Sequence, residues 1–260
     1  MRAVPETKES LEPAKADLNA LPREELQRLA AAGAEVAEIS GILRKTGDNV
    51  VGEILRGQGT FYEWDHYPTG DVYDHETHAQ YYYHAHPPDQ RFEAEHGHFH
   101  TFLRAKGMPK GIRPAPVAGA ESRPELEDSL SHLIAISMDP SGDPFRLFTV
   151  NRWVTGEVWY RGEDVCALLD RFRIGHAQPS WPANRWITGM LTLFAPQIRE
   201  LVRIRDRSLA AWQAKHPDRN AFEDRDLEVT SYLDISVEQQ RREIAAALDQ
   251  DRLRSNRSEP

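Results

Sequence analysis

The spacing of the histidines between positions 84 and 100 constrains the fold more than any other feature of the sequence. His84 and His86 are separated by one alanine, and His98 and His100 are separated by one phenylalanine. Side chains two residues apart on a β-strand point to the same face of the sheet, so each pair shares a face if its segment is extended. Two consecutive prolines follow the first pair and interrupt that segment. The pattern therefore predicts two antiparallel strands joined by residues 87–97.

A hairpin in this position would bring the four imidazoles together. The register that we expect places His84 opposite His100 and His86 opposite His98, with facing Cβ atoms about 4.5–5.5 Å apart. Imidazoles at this separation can converge on one metal ion, whose bonds to nitrogen are about 2.0–2.1 Å long. Neutral imidazole suits zinc, iron and copper better than calcium or magnesium. The sequence thus predicts a transition-metal cofactor, zinc, iron or copper, bound by these four histidines.

Other side chains that are close to the hairpin in sequence could complete such a site. His96 and His78 are further candidate ligands. Glu95, Asp65 and Tyr82 are candidate catalytic residues, because a carboxylate or a phenol beside a metal can orient a ligand or carry a proton. The sequence does not assign a definite role to any of the five.

Two arginines lie in short segments that share the sequence Asn-Arg-Trp, at Arg152 and Arg185. A guanidinium group binds carboxylates through paired hydrogen bonds, so both arginines are candidates for binding an acidic substrate. A structural bridge between the sheet and a helix is the alternative role for each of them.

The predicted metal site leaves three functions open. Three protein ligands and an open position would favour an enzyme that acts on a small molecule, such as a hydrolase or an oxygenase. Four ligands that close the site would favour a non-catalytic metal-binding or metal-sensing module. A metal-free ligand-binding protein, with a hydrogen-bonded network of histidines and tyrosines, is the third function. The sequence favours the first.

Composition narrows the choice of partners and compartment. The net charge of −9 disfavours nucleic acid as a partner, because an acidic surface repels phosphate backbones. No run of about 18 apolar residues is present, so no membrane span is expected. The polar first 19 residues lack the apolar core of a secretory signal, and a single cysteine, Cys166, permits no internal disulfide. We therefore expect a cytoplasmic protein, of unknown oligomeric state, with a small-molecule partner.

Bulky residues alternate with turn signals between about residues 60 and 160, which indicates an antiparallel sheet of about five strands. The expected strands are 60–67, 79–86, 97–104, 131–138 and 145–154, with a short extension at 157–160. Helical periodicity marks residues 22–47, 50–55, 163–173, 184–195, 196–215 and 237–249. The fold class is therefore α+β, with N-terminal and C-terminal helices covering the sheet. Residues 227–235 fit either a strand or a helix.

We expect one domain over residues 21–250, with a flexible tail at 1–20 and a frayed tail at 251–260. The segment 105–128 is rich in proline, glycine and alanine and is expected to form a long mobile loop, of the kind that often covers a site.

Several motifs resemble those of a bacterial protein family of unknown function. They are Tyr62-Glu63-Trp64-Asp65-His66-Tyr67-Pro68, Ala79-Gln80-Tyr81-Tyr82-Tyr83-His84-Ala85-His86, Glu95-His96-Gly97-His98-Phe99-His100, Asn151-Arg152-Trp153-Val154-Thr155-Gly156 and Trp181-Pro182-Ala183-Asn184-Arg185-Trp186. The resemblance covers roughly residues 20–250 and implies a bacterial, soluble protein of one domain. It implies no activity and supplies no catalytic residues.

Overall fold

A computed structural model describes residues 16–117 and 129–257 of the chain. The helices within them are α1 (Arg23–Lys45), α2 (Val50–Leu55), α3 (Arg152–Thr155), α4 (Gly162–Leu168), α5 (Trp181–Leu193), α6 (Ala195–Lys215) and α7 (Val237–Arg257). The strands are β1 (Tyr67–Tyr73), β2 (Ala79–His84), β3 (Gly97–Arg104), β4 (Leu130–Met138), β5 (Pro144–Val150) and β6 (Val229–Asp234). The predicted α+β class is confirmed. Residues 1–15 of the expected tail and residues 118–128 of the expected mobile loop lie outside the described residues.

The strands form one open sheet in the order β1-β2-β3-β4-β5-β6, so each strand pairs with its neighbours in sequence. Every pairing is antiparallel. The chain passes through helices α3 to α6 before β6 returns to pair with β5 at the edge of the sheet. The segment 227–235, for which the sequence left both possibilities open, therefore contains a sixth strand.

Several predicted strand boundaries differ from the structure. The first strand runs over Tyr67–Tyr73 rather than 60–67, because Trp64 adopts a φ of 72°, which a regular strand does not accommodate. The second ends at His84 rather than at residue 86. The fifth ends at Val150, since the side chain of Asn151 caps α3 directly afterwards. Residues 157–160 are not a strand. The predicted count of about five was therefore close, but the sixth strand lies outside the range we expected.

The first and last described segments are more regular than the sequence suggested. Residues Leu18–Ala20, expected to belong to a flexible tail, form a short 3-10 turn that is capped by Asp17. Helix α7, expected to end near residue 249, continues to Arg257. Among the described helices, none combines the length and the apolar character needed to cross a membrane.

Helices cover one face of the sheet and form the main core with it. Tyr81, Tyr83 and Phe99 point to this face and are completely buried. Tyr81 donates a hydrogen bond of 2.6 Å to Oδ1 of Asn184 on α5, and Trp186 of the same helix lies 6.2 Å from the Phe99 ring, between centroids. Each large apolar side chain buried in this way contributes about 1.5–3 kcal/mol to folding. Because these side chains face the helices, the residues that alternate with them along β2 and β3 face the other side of the sheet.

The opposite face of the sheet carries the histidines. Their side chains alternate with the core residues along β2 and β3 and therefore point away from the helices. A smaller apolar cluster continues this face across β4 and β5 and includes Phe92 from the β2–β3 connection, together with Ala135, Phe148 and Val150. Loops cover the face in part, as shown by Trp64, whose ring stacks on His86 at 4.3 Å between centroids.

Candidate metal centre

The β2–β3 pairing places the histidine pairs on one face of adjacent antiparallel strands, but not in the register expected. His84 faces His98, and Tyr82 faces His100. The expected pairs, His84 with His100 and His86 with His98, are therefore wrong by a shift of two residues. Because side-chain direction repeats every two residues, this shift changes the partners and keeps the shared face. His86 lies just beyond the end of β2.

Three of the four histidines form a buried group that could hold a metal ion. His84, His86 and His98 each offer a ring nitrogen, and these three nitrogens all lie within 4.8 Å of one another. The ring centroids are 4.5 Å apart for His84 and His98, 4.9 Å for His84 and His86, and 5.2 Å for His86 and His98. All three side chains are buried. We refer to these residues as the histidine triad.

Hydrogen bonds at Nδ1 orient two rings of the triad. Nδ1 of His86 lies 3.3 Å from the backbone carbonyl oxygen of Gln90. Nδ1 of His98 lies 3.2 Å from Oε1 of Glu95. Since both partners are acceptors, each Nδ1 carries the proton and donates it, which leaves Nε2 of each ring unprotonated. Histidines that bind metals typically donate their other nitrogen to a carbonyl or a carboxylate in this way.

A hydrogen bond between two triad rings occupies the position where a metal would be coordinated. Nε2 of His84 lies 2.7 Å from Nε2 of His98. Because Nε2 of His98 has no proton to donate, His84 is the donor in this pair. Two nitrogen ligands of a tetrahedral metal are about 3.3 Å apart at bond lengths near 2.0–2.1 Å. Metal binding therefore requires the two rings to separate slightly and the His84 proton to move to Nδ1.

Burial lowers the pKa of two triad imidazoles, His84 and His86. It is the largest cause that lowers the pKa of His86 to about 4, with a smaller contribution from His98. Burial followed by the neighbouring His98, His86 and His66 lowers the pKa of His84 far below its ordinary value. The unprotonated ring is the form that binds a metal, so the fold supplies ligands in the required state.

His100, the fourth predicted ligand, is not part of the triad. Its Nδ1 instead lies 3.0 Å from Nε2 of His132 on β4. Both side chains are buried, and burial is the largest cause that lowers the pKa of His132 to about 3. The rings of His100 and His98 remain neighbours, 4.8 Å apart between centroids. The His100–His132 pair thus lies beside the triad as a second hydrogen-bonded unit.

The two further candidate ligands have other partners. Nδ1 of His96 lies 2.6 Å from the hydroxyl of Tyr83, which points to the helix-covered face. His78 has a left-handed φ of 61° and forms a hydrogen bond through its Nδ1 with the hydroxyl of Tyr73. The structure does not bring either ring to the triad.

Of the three candidate catalytic residues, Glu95 lies in direct contact with the triad. Its carboxyl is buried, which by itself raises the pKa, but the adjacent His98, a hydrogen bond from Ser137 and the nearby His86 together outweigh burial and hold the pKa below its ordinary value. Glu95 is therefore an ionised carboxylate that accepts from His98. Tyr82 is buried, which raises the pKa of its phenol, and its ring stacks on His66 at 3.6 Å between centroids. Asp65 is exposed.

The two arginines suggested for substrate binding form ion pairs in the structure. Arg152 is buried and pairs with Glu223. Arg185 on α5 pairs with Glu35 on α1, at 2.6 Å between Nη2 and Oε1. Both contacts join helical elements of the fold, so they bridge parts of the structure as the alternative role proposed, but between helical segments rather than between the sheet and a helix.

A small pocket opens beside the triad. Its walls are His86, His98, His100, Glu95, Gln90, Arg91, Phe92, Phe148, Val150, Val154, Glu228 and Val229. The cavity measures about 20 Å³, which is room for one water-sized molecule. Apolar side chains form much of the wall, and burial raises the pKa of the Glu228 carboxyl. The Glu228 carboxyl and two triad histidines therefore line the same pocket.

Comparison with known proteins gives a family for the chain. A family model described as a domain of unknown function, DUF6969, matches residues 30–235. The chain belongs to this family. The match confirms the resemblance to an uncharacterised family that the sequence motifs indicated. Comparison with curated proteins and with solved structures finds no match to the chain.

Sequence reasoning missed two residues beside the triad, His132 and Glu228. His132 lies far from the histidine pairs in sequence and reaches them because β3 and β4 are adjacent. Glu228 lies in the segment that could not be assigned to a strand or a helix. A prediction that β4 pairs with β3 would have found His132, whereas no local signal marks Glu228.

Proposed function

We propose that this DUF6969 protein binds a transition metal through His84, His86 and His98 and is a metal-dependent enzyme that acts on a small molecule. The observation that carries the proposal is the convergence of three buried imidazoles, two of which donate Nδ1 protons to fixed acceptors. This arrangement holds unprotonated Nε2 atoms in place before a metal arrives. Zinc, iron and copper fit three nitrogen ligands.

The open side of the triad favours an enzyme over a closed module. Catalytic metal sites typically have three protein ligands and one position for water or substrate, whereas structural sites have four ligands. The pocket adjoins His86 and His98, so a small molecule could occupy that position. A bound metal would polarise an oxygen or lower the pKa of a water there. Glu95 would hold His98 in orientation, and Glu228 could exchange a proton with the bound molecule. Hydrolases and oxygenases both use such sites.

A metal-free histidine–tyrosine network remains the second candidate, because the His84–His98 and His100–His132 hydrogen bonds already satisfy these buried rings. In that function, the pocket would bind a small ligand without a metal. We also propose a cytoplasmic location, since a chain with one cysteine needs no oxidising compartment.

Metal titration of untagged protein tests the proposal. We expect the wild type to bind zinc or cobalt with a ratio of one ion per chain. His84→Ala and His98→Ala should each weaken binding by at least about tenfold, because even the loss of a residue that supports a ligand has an effect of this size. Elemental analysis of the purified protein would identify the native metal.

His216→Gln is the matched control, because His216 follows α6 outside the site and should leave the affinity unchanged. Adding azide to the cobalt-loaded protein then distinguishes an enzyme from a non-catalytic module. Azide that binds an open coordination position changes the visible spectrum of cobalt, whereas a closed site leaves the spectrum unchanged. Absence of any metal binding by the wild type would favour the metal-free function.

A further inference from the structure

The connection between the two triad strands carries the groups that orient the triad. We call residues 87–96 the strap. Its Gln90 offers the carbonyl that accepts from His86, and its Glu95 offers the carboxylate that accepts from His98. Both groups that fix the Nδ1 protons of the triad therefore lie on one segment. If the strap moved, two rings would lose their orienting partners together.

One aromatic side chain attaches the strap to the far side of the sheet. Phe92 packs edge-on against Phe148 of β5, with ring centroids 5.6 Å apart. The guanidinium carbon of Arg146 lies 4.2 Å from the Phe92 ring centroid and 4.7 Å from that of Tyr232. Arg146 is itself held by Asp234, at 2.6 Å between Nε and Oδ1. Phe92 is thus clamped by side chains from β5 and β6.

A short turn transmits this attachment to the triad. The backbone N–H of Glu95 donates to the carbonyl of Phe92 over 2.9 Å. Near the other end of the turn, Arg91 donates through Nη1 to the carbonyl of His96 over 2.7 Å. The position of the Glu95 carboxylate therefore follows that of Phe92. Residues 90–92 and Glu95 of the strap also line the pocket, together with Phe148.

We propose that Phe92 is a positioning residue for the metal site, acting through Glu95 and the Gln90 carbonyl on His98 and His86. The proposal rests on the proposed metal-binding function. Phe92 is not a ligand and does not need to touch the metal. It sets the tautomer and the orientation of two ligands, and a metal gains affinity because these two rings already present unprotonated Nε2 atoms when it binds.

The test is to loosen Phe92 and to measure both metal affinity and histidine tautomers. Phe92→Ala should weaken zinc or cobalt binding by about tenfold. In the metal-free protein, nitrogen NMR should show His86 and His98 protonated at Nδ1 in the wild type and a mixture of tautomers in the variant. Phe92→Leu should restore part of the affinity. Phe145→Ala is the matched control, because Phe145 lies beside Arg146 on β5 but not on the strap.

Arg146→Gln provides a second variant that leaves the strap sequence intact. Loss of its contact with Phe92 should weaken binding by about twofold to fivefold, the effect of an exposed cation–π contact. The proposal would be overturned if a folded Phe92→Ala or Arg146→Gln protein kept the wild-type tautomers and metal affinity. A merely structural role for Phe92 would change stability alone. If the wild type binds no metal, the proposed function fails, and the tautomers still decide whether Phe92 orients the rings.

Discussion

The protonation of single histidines determines when this site can accept a metal. An exposed imidazole titrates near pH 6.5, and at lower pH protons compete with the metal for its nitrogen. In this chain, burial followed by a neighbouring imidazole lowers the pKa of His86 to about 4. The ring therefore stays available as a ligand in weakly acidic solution.

The pH dependence of metal affinity should reflect this lowered pKa. We expect zinc affinity to change little between about pH 7 and 5.5, where only exposed histidines titrate. It should then fall as the pH approaches the value of about 4 at which His86 protonates. Isothermal titration at several pH values, with circular dichroism to confirm folding, measures the curve. A fall centred near pH 6.5 would contradict the burial of the triad in solution.

At the residue scale, the sequence predicted the shared face of the histidines but not their full surroundings. The spacing of two within each pair fixes the face once the segments are strands, whatever the register. Pairing of β4 with β3 would bring His132 near the site, but its facing residue could not be predicted, because β3 and β4 shift register between Thr101 and Phe102. This irregularity determines that His132 faces Phe102, and nothing in the local sequence marks it.

At the scale of elements, the β2–β3 hairpin depends on a close approach at Gly97. A Cβ added to this glycine would lie 2.5 Å from the carbonyl oxygen of His84 and 2.5 Å from the hydroxyl of Tyr83. The first atom is backbone and belongs to the pairing that places the triad. The β2–β3 hairpin therefore has no space for a side chain at position 97.

Gly97→Ala should therefore destabilise the protein and disturb the site together. We expect a loss of about 1–3 kcal/mol in the free energy of unfolding, typical of an added carbon in a packed interior, and weaker metal binding. Urea denaturation and zinc titration measure the two effects. Gly41→Ala in α1 is the control, since nothing lies within 4 Å of its added Cβ, and it should stabilise by up to about 1 kcal/mol. Equal stability of the two variants would show that the hairpin tolerates a side chain at position 97.

Elements with strong local signals were predictable, and those defined by distant contacts were not. The apolar periodicity of α1 and the bulky aromatic residues of β2 and β3 were sufficient to identify them. The aromatic residues near position 60 suggested a strand. Trp64 instead adopts a positive φ that turns the chain, and its ring stacks on His86. β6 owes its conformation to pairing with β5, about 80 residues earlier in the chain, which a local pattern does not encode.

At the scale of the whole molecule, the sheet separates two kinds of interior. Tyr81 and Phe99 belong to the apolar face under the helices, whereas His84, His100 and His132 occupy a polar interior on the other side. Apolar burial stabilises the first at any pH. The second is stable only while its imidazoles are neutral, because a buried charge without a partner is costly.

Acid should therefore destabilise the whole protein at a pH well above that at which carboxylates titrate. His86 and His132 have pKa values of about 4 and about 3 in the folded chain, below the 6.5 of an unfolded histidine. Between these values the unfolded chain binds more protons, so the stability that they contribute is complete above pH 6.5 and is lost as the pH falls. Each such histidine lowers the free energy of unfolding by about 1.4 kcal/mol per pH unit in that range.

Urea denaturation at pH 7, 6 and 5 measures this loss. His132→Gln should reduce the slope of the unfolding free energy against pH, and the matched control His216→Gln should not. A metal that binds only the folded chain should oppose the loss, adding about 2.7 kcal/mol at a free concentration one hundred times the dissociation constant. Acid and metal thus have opposite effects on stability, and His86 takes part in both. A free energy of unfolding that is constant from pH 7 to 5 would mean that these histidines are not held neutral by the fold, and metal binding would then have to order them.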